Sequence, residues 1–140
     1  MLVLDTNHLV EIERNSSIGI KLVRRLQGQS QRFATTIVCA EEQFRGWLAQ
    51  IRRHRESLKA LGSYARLEGS IRFFASWDLL AWDEQSSKIF HEIQTRHRRP
   101  GTMDLKIAAV TIANNAILLS RNLRDFQQIP ELKVEDWLQD

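Results

Sequence analysis

A continuous apolar run, Leu2-Val3-Leu4, opens the chain and stops at Asp5. Unbroken apolar residues of this kind are typical of a strand buried on both faces, as in a parallel sheet covered by helices. Thr6 and Asn7 favour a turn or a helix cap, so Asp5 lies where a central strand ends and a helix begins. Active sites of open α/β sheets form at this end of the strands. The competing interpretation is that Asp5 serves only as the cap of the following helix.

A second continuous apolar run, residues 116–120, also ends in polar residues. Two buried strands separated by helices predict a parallel α/β sheet with right-handed crossovers, in which the two runs can be neighbours in space. The long helices expected at about 38–55 and 58–76 are predicted to form a hairpin. Shorter strands are predicted at 31–36, 77–82 and 132–134, a turn at 121–126, and helices at 8–14, 18–27, 84–99 and 104–115.

Length and composition bound the class of protein. At 140 residues the chain suits a single domain, residues 1–140, with a full core. It has no apolar run long enough to span a membrane and no basic region before its first apolar residues, so we expect a cytoplasmic protein without a signal peptide. The single cysteine, Cys39, excludes an internal disulfide and a cysteine-rich zinc site. The net charge of +3 permits a nucleic-acid partner without demonstrating one.

Four acidic residues stand at boundaries between predicted elements. Asp5 ends the first strand, and Glu42 lies one turn into the helix after the second. Asp104 begins a helix, and Asp125 follows the strand at 116–120. In a parallel sheet we expect these acids to converge at one end. Clustered carboxylates oppose one another's ionisation, and a hard cation such as Mg²⁺ or Mn²⁺ relieves the repulsion, which predicts a site for phosphodiester chemistry.

Four segments around these acids carry a family resemblance. They are residues 4–7 (Leu-Asp-Thr-Asn), 35–46 around Glu42, 104–109 from Asp104, and 118–126, which ends in Asp125-Phe126. Through them the chain resembles PIN-domain proteins, especially the VapC-type toxins of bacterial toxin–antitoxin pairs. Residues 129–137 resemble the usual ending of that family. Each motif alone is weakly specific, but together they keep the family's order over nearly the whole chain.

The resemblance implies a three-layer α/β/α sandwich with a central, mostly parallel sheet. It also implies a Mg²⁺- or Mn²⁺-dependent endoribonuclease with Asp5, Glu42 and Asp104 as catalytic, metal-binding acids. Glu42 is favoured over Glu41 because Gly46 follows it at the family's spacing. Further implied are an RNA substrate such as tRNA, a homodimer, and a small antitoxin whose tail lies along the helical hairpin and covers the acidic pocket.

The fourth acidic position departs from part of the family. Some relatives carry an Asp where this chain has Asn122, and in those with Asn there the later acid, Asp125, is the candidate catalytic and metal-binding residue. Asn122 can still ligate a metal or hold a water, and one carboxylate fewer would hold a second metal less firmly. Ser120 resembles a hydroxyl residue that orients the site, and Thr6 and Asn7 are its other supporting residues.

Three basic groups, residues 52–55, residues 96–99, and Arg121 with Arg124, are candidates for RNA binding. For the first two, a solvated helix end is the simpler interpretation. Arg121 and Arg124 flank the loop of the fourth acid, which favours contacts to RNA phosphates there. The four tryptophans are able to stack on bases, although core packing is the commoner use of such side chains.

Two alternatives to the nuclease stay open. One is a catalytically weak PIN-like module that binds RNA or a protein partner. The other is an Asp-nucleophile phosphotransferase, since Asp5 ends a strand as such nucleophiles do. A second Asp two residues later would support it, but that position is Asn7.

Overall fold

A five-stranded parallel sheet forms the centre of the fold. The computed structural model describes residues 1–97 and 100–139. The strands are β1 (Leu2–Leu4), β2 (Phe33–Thr36), β3 (Leu79–Leu80), β4 (Ile117–Leu119) and β5 (Lys133–Glu135). Their order in the sheet is β3-β2-β1-β4-β5, with parallel pairing throughout. The predicted parallel sheet is confirmed, and the two apolar runs are neighbours in it.

The central position of β1 follows from its apolar side chains on both faces. In the sheet Val3 lies opposite Ala34 on one side and Leu118 on the other, and all three are fully buried. The pairing of β1 with β4 extends to the strand ends, where the Asp5 N–H donates to the carbonyl oxygen of Leu119 at 2.9 Å. The residues that follow these two strands therefore emerge side by side.

Seven helices flank the sheet in the described part of the chain. They are α1 (Thr6–Glu13), α2 (Ser17–Gln27), α3 (Ile37–His54), α4 (Lys59–Ala75), α5 (Glu84–Arg96), α6 (Thr102–Ala113) and α7 (Leu123–Phe126). The predicted α/β/α layering and the packing of α3 against α4 as a hairpin are both confirmed. None of the described helices combines the length and apolar character that a membrane crossing requires.

Helix α6 is buried on almost every side, which fixes the position of its first turn. It packs against α3, α5 and β4. Its consecutive residues Ile107, Ala108, Ala109 and Val110 are all fully buried. The small alanine side chains allow neighbouring elements to approach the helix closely. Asp104, in the first turn, is therefore held by a rigid part of the core.

Several predicted boundaries differ from the structure. Helix α1 begins at Thr6, two residues earlier than expected, because Asp5 caps it. Helix α6 begins at Thr102, so Asp104 lies within its first turn. The predicted turn at 121–126 contains the one-turn helix α7, and β3 has two residues where six were expected. Arg98 and Arg99, at the end of the helix predicted at 84–99, lie outside the described residues.

Candidate active site

The carboxylate of Asp5 is almost completely buried at the carboxyl end of β1, with 5% of the residue exposed. Its Oδ1 accepts a hydrogen bond from the Thr6 N–H at 2.8 Å, and its Oδ2 accepts one from the Ser120 hydroxyl at 2.7 Å. The side-chain amide of Asn7 donates to the same Oδ2 at 3.4 Å. Asp5 is thus both the cap of α1 and a buried acid at the end of a central strand.

Burial raises the pKa of Asp5 from an ordinary 3.8 to about 6. The hydrogen bonds from Ser120 and from the Thr6 N–H oppose this rise, because they stabilise the charged form. The carboxylates of Glu42 and Asp104 add to it by like-charge repulsion. The site is therefore one in which a negative charge on Asp5 is unfavourable without a counter-charge.

Asn122 bridges two of the other acids. Its Nδ2 donates to Oδ2 of Asp104 at 3.0 Å and to Oδ2 of Asp125 at 3.3 Å. Burial is the largest cause of the raised pKa of Asp104; Glu42 and Asp125 add to it, whereas the bond from Asn122 lowers it. Each of the four predicted acids thus acts electrostatically on at least one other, and the structure brings all four to one end of the sheet.

Glu42 and Glu41 face different surroundings, as expected for side chains about 100° apart on a helix. Glu42 lines a cavity of about 310 Å³ that also contacts Thr6. Glu41 forms an ion pair with Arg45 at 2.8 Å, and both side chains are exposed to solvent. The side chain of Glu42, and not that of Glu41, therefore belongs to the group of acids.

The Ser120 hydroxyl ties the loop after β4 to the acids. It is fully buried and donates its proton to Asp5. It also accepts from the Asn122 backbone N–H at 3.0 Å and from Asn7 Nδ2 at 3.2 Å. The hydroxyl thus uses its donor on the carboxylate and both of its acceptor positions on N–H groups. This saturated arrangement fixes Asp5 relative to Asn122, and through Asn122 relative to Asp104.

A further layer of contacts, which sequence reasoning missed, holds the Asn7 amide. Its Oδ1 accepts from His8 Nδ1 at 2.8 Å and from the Arg121 backbone N–H at 3.2 Å. Because His8 Nε2 accepts from the Trp137 backbone N–H at 3.2 Å, the proton of the ring is on Nδ1. Burial lowers the pKa of His8 to about 4, although Asp136 opposes the change. No local signal predicts this contact, since 129 positions separate His8 from Trp137.

The oxygen donors at this end of the sheet fit a hard divalent cation. The Thr6 hydroxyl is buried with no hydrogen-bond partner among the described residues, and Thr6 lines the same cavity as Glu42. Carboxylates and neutral oxygens are the ligands that Mg²⁺ and Mn²⁺ prefer. In residues 1–97 and 100–139, no three His, Cys, Asp or Glu side chains stand close enough to enclose a cation directly. Because Mg²⁺ keeps several of its waters, contacts through water are compatible with this spacing.

The predicted basic groups belong to different elements of the fold. Arg121 and Arg124 are exposed in the segment that carries Asn122. The group at 52–55 lies at the end of α3, where the helix dipole favours cations. In the group at 96–99, Arg96 forms an ion pair with Glu131 at 2.8 Å. Of these groups, Arg121 and Arg124 are therefore the ones close in sequence to Asn122, which bonds to two of the acids.

Comparison with known proteins agrees with this fold. The family model described as PIN domain matches residues 2–132. Ribonuclease VapC2 of Rickettsia felis is 29% identical over an alignment of 69 residues that covers 46% of this chain and 52% of that protein. The chain thus matches about half the length of this curated relative.

Solved structures of similar fold cover nearly the whole chain. VapBC2 from Rickettsia felis, bound to a DNA fragment from its promoter, has a TM-score of 0.75 at 23% identity, covering 97% of this chain and 98% of that one. VapBC-1 from nontypeable Haemophilus influenzae has a TM-score of 0.72 at 20% identity, covering 99% and 98%. DNA-bound VapBC from Salmonella typhimurium has a TM-score of 0.70 at 23% identity, covering 97% of each chain. These likenesses establish a shared fold.

Proposed function

The chain belongs to the PIN-domain family, and from this membership and the site geometry we propose a single-domain, metal-dependent endoribonuclease. The observation that carries the proposal is the mutual electrostatic effect of Asp5, Glu42, Asp104 and Asp125. Clustered acids whose charges repel one another destabilise the fold that holds them, and such groups concentrate at functional sites. A bound cation offsets the repulsion.

We assign Mg²⁺ or Mn²⁺ to the four acids, with the unpartnered Thr6 hydroxyl as a further oxygen donor. When bound, the cation neutralises charge that develops on the scissile phosphate and lowers the pKa of water. Position 122 carries an amide in place of a carboxylate, so we expect one cation to be held more firmly than a second.

The surrounding residues hold the acids in place. Ser120 and the Thr6 N–H keep the Asp5 carboxylate in one orientation. Asn122 links the remaining acids through its Nδ2. To the exposed side chains of Arg121 and Arg124 we assign contacts with RNA phosphates, which position a nucleic acid without reading its sequence.

For the biological role we infer a toxin that a small antitoxin neutralises. The similar structures are VapBC assemblies, and a similar curated protein is named as a ribonuclease. The α3–α4 hairpin also exposes large apolar side chains, and such patches are typical of interaction surfaces. These are Leu48, Leu58, Leu61, Tyr64 and Ile71. We assign this surface to the antitoxin tail and expect the toxin itself to be a homodimer.

A catalytically weak PIN-like module that binds RNA or a partner is the second candidate. The observation that favours it is the spacing of the acids, since no three of the described ones enclose a cation directly. This alternative predicts that the protein binds RNA but does not cleave it in the presence of any divalent metal ion.

Cleavage of RNA by antitoxin-free protein tests the proposal. Total RNA and tRNA should be cut in Mg²⁺ or Mn²⁺ and left intact in excess EDTA. Glu42→Gln should lose nearly all activity, whereas the matched control Glu41→Gln should keep it, because Glu41 pairs with Arg45 at the surface. Cleavage that persists in EDTA would contradict the metal mechanism, and equal loss in both variants would contradict the choice of Glu42.

A further inference from the structure

Three adjoining cavities lead away from the acids along α1, α3 and α4. The first, of about 310 Å³, contains Glu42 and Trp47. The second, of about 490 Å³, shares Trp47 with the first and adds Arg14 and Arg66. The third, of about 410 Å³, shares Arg66 with the second and adds Lys59. Because neighbouring cavities share lining residues, we treat them as one groove, called the basic groove below.

The charge of this groove changes sign with distance from the acids. Beyond Glu42 it presents the exposed cationic side chains of Arg14, Lys59 and Arg66. The carboxylate that lines this basic part of the groove is Glu13, which interacts electrostatically with Arg14. In the part of the chain that the structure describes, neither Lys59 nor Arg66 forms an ion pair with an acid. Their charges are therefore available to an anionic ligand.

Trp47 stands at the junction of the first two cavities with an unused donor. The side chain is half-buried, and its Nε1–H is buried without an acceptor among the described residues. A buried donor in this state is unfavourable, and a ligand that offers an acceptor removes the penalty. The Arg66 guanidinium lies over the indole ring, 5.8 Å from its centroid. An aromatic face, a free donor and a cation thus meet at one point.

Gly46 leaves the passage from the acids to Trp47 open. A Cβ at this position would meet no atom within 4 Å, so packing does not require the glycine. Glycine inside a helix is unfavourable by about 1 kcal/mol relative to alanine. A bare helix surface between Glu42 and Trp47 provides room for a chain that extends from the acids into the groove.

We propose that the basic groove binds single-stranded RNA flanking the scissile phosphate, with a nucleotide at Trp47 and its phosphates at Arg66 and Arg14. This inference rests on the proposed ribonuclease function. Bases of single-stranded RNA stack on aromatic side chains, and RNA supplies both the acceptors for an indole N–H and the phosphates for arginine. The groove adds binding residues away from the acids and extends the substrate site by the nucleotides next to the cut.

Fluorescence anisotropy with a fluorescein-labelled, unstructured 12-nucleotide RNA in EDTA tests the groove without cleavage. Arg66→Gln should weaken binding about fivefold at 0.1 M salt and reduce the slope of log K against log salt by about 0.7, the value for one phosphate contact on a single strand. Arg66→Lys should keep the slope. Trp47→Phe should weaken binding several-fold with an unchanged slope, because it loses only the indole N–H. Arg72→Gln, on the same helix and paired with Glu68, is the matched control and should bind like wild type.

Several results would overturn the inference. One is that the wild-type protein does not bind the RNA. Another is that Arg66→Gln and Trp47→Phe bind it with an affinity within twofold of wild type and with the same salt slope. A poly-glutamate peptide that binds equally well and loses as much affinity in Arg66→Gln would assign the groove to an acidic polypeptide instead. Groove-dependent binding in a protein that never cleaves RNA would support the groove and contradict the nuclease. RNA cleavage and RNA binding that are both unaffected by the groove substitutions would support the nuclease and contradict the groove.

Discussion

Replacing Asp5 by Asn should stabilise the metal-free protein and remove its response to metal. The pKa of Asp5 rises from 3.8 to about 6 in the folded chain, and one pKa unit corresponds to about 1.4 kcal/mol. Ionised Asp5 therefore destabilises the fold by roughly 3 kcal/mol at pH 7. Asn lacks the charge, but only one of its two terminal side-chain atoms accepts hydrogen bonds, so it cannot keep the bonds at both Oδ1 and Oδ2 of Asp5, a loss of about 0.5–1.5 kcal/mol. The net gain of about 1.5–2.5 kcal/mol should raise Tm by roughly 4–8 °C.

The advantage of the variant should depend on pH in a defined direction. Because the pKa of Asp5 is higher in the folded state, that state binds more protons between about pH 4 and 6, and wild-type stability falls as pH rises through this window. As pH falls towards and below 3.8 the carboxyl becomes protonated in both states, so the gain from Asn should shrink towards zero at the acidic end. Above about pH 7, where Asp5 is ionised in both states, the gain should be complete and constant.

Differential scanning fluorimetry from pH 4 to 8, with and without Mn²⁺, measures both effects. A cation that binds only the folded state stabilises it by about 2.7 kcal/mol at one hundred times its Kd. Wild type should therefore gain Tm with Mn²⁺, and Asp5→Asn should barely respond. Glu84→Gln, at a side chain that is 85% exposed, should change neither result. A variant that melts below wild type at pH 7 without metal would show that the hydrogen bonds of Asp5 outweigh the cost of its charge. An equal response to Mn²⁺ in both proteins would show that Asp5 is not a metal ligand.

Four further substitutions test other parts of the structure. Gly19→Ala should lower Tm sharply because a Cβ there would lie 2.0 Å from the Glu11 carbonyl oxygen; Gly69→Ala, with no atom within 4 Å, should stabilise its helix by about 0.5–1 kcal/mol. Circular dichroism melts compare the two, and similar shifts would contradict the close packing of α1 on α2. Asn122→Asp adds a charge beside two acids, so it should lower the metal-free Tm and enlarge the Mn²⁺-dependent rise; an unchanged rise would separate this position from the metal. His8→Leu removes the acceptor of the Trp137 backbone N–H and one of the two donors to Asn7 Oδ1. A buried polar group left without its partner costs about 1–3 kcal/mol, so chemical denaturation should reveal a clear loss of stability; a loss below about 1 kcal/mol would contradict the proposed hydrogen bonds.

The parts of the fold that could be predicted from the sequence are those that produce a local pattern of residues. Leu2-Val3-Leu4 is apolar without alternation, and such a strand is stable only when both faces are covered. Helical spacing separates Glu42 from Glu41, and the structure gives them different surroundings. Since the strands are parallel, their carboxyl ends share one edge, and this places Asp5 next to the loop that contains Asn122.

The family resemblance points to Ser120 as a residue that orients the site, but the partners of the residues that hold the acids were not predictable, because these contacts join distant parts of the chain. Ser120 reaches Asp5 across 115 positions, and His8 meets Trp137 across 129. Such pairs depend on strand order and on the path of the last segment, for which local periodicity contains no information. The bridging role of Asn122 is similar: its amide donates to two acids, a geometry that a family motif does not specify.

Anomalous X-ray scattering from crystals grown with Mn²⁺ tests whether the four acids bind a divalent cation. We expect one strong manganese peak at the carboxyl end of β1, contacted by the carboxylates of Asp5 and Asp104 directly or through ordered water. The same peak should be absent from crystals of Asp104→Asn. A peak away from these acids, or none at saturating Mn²⁺, would contradict the assignment of this site to a metal-dependent nuclease.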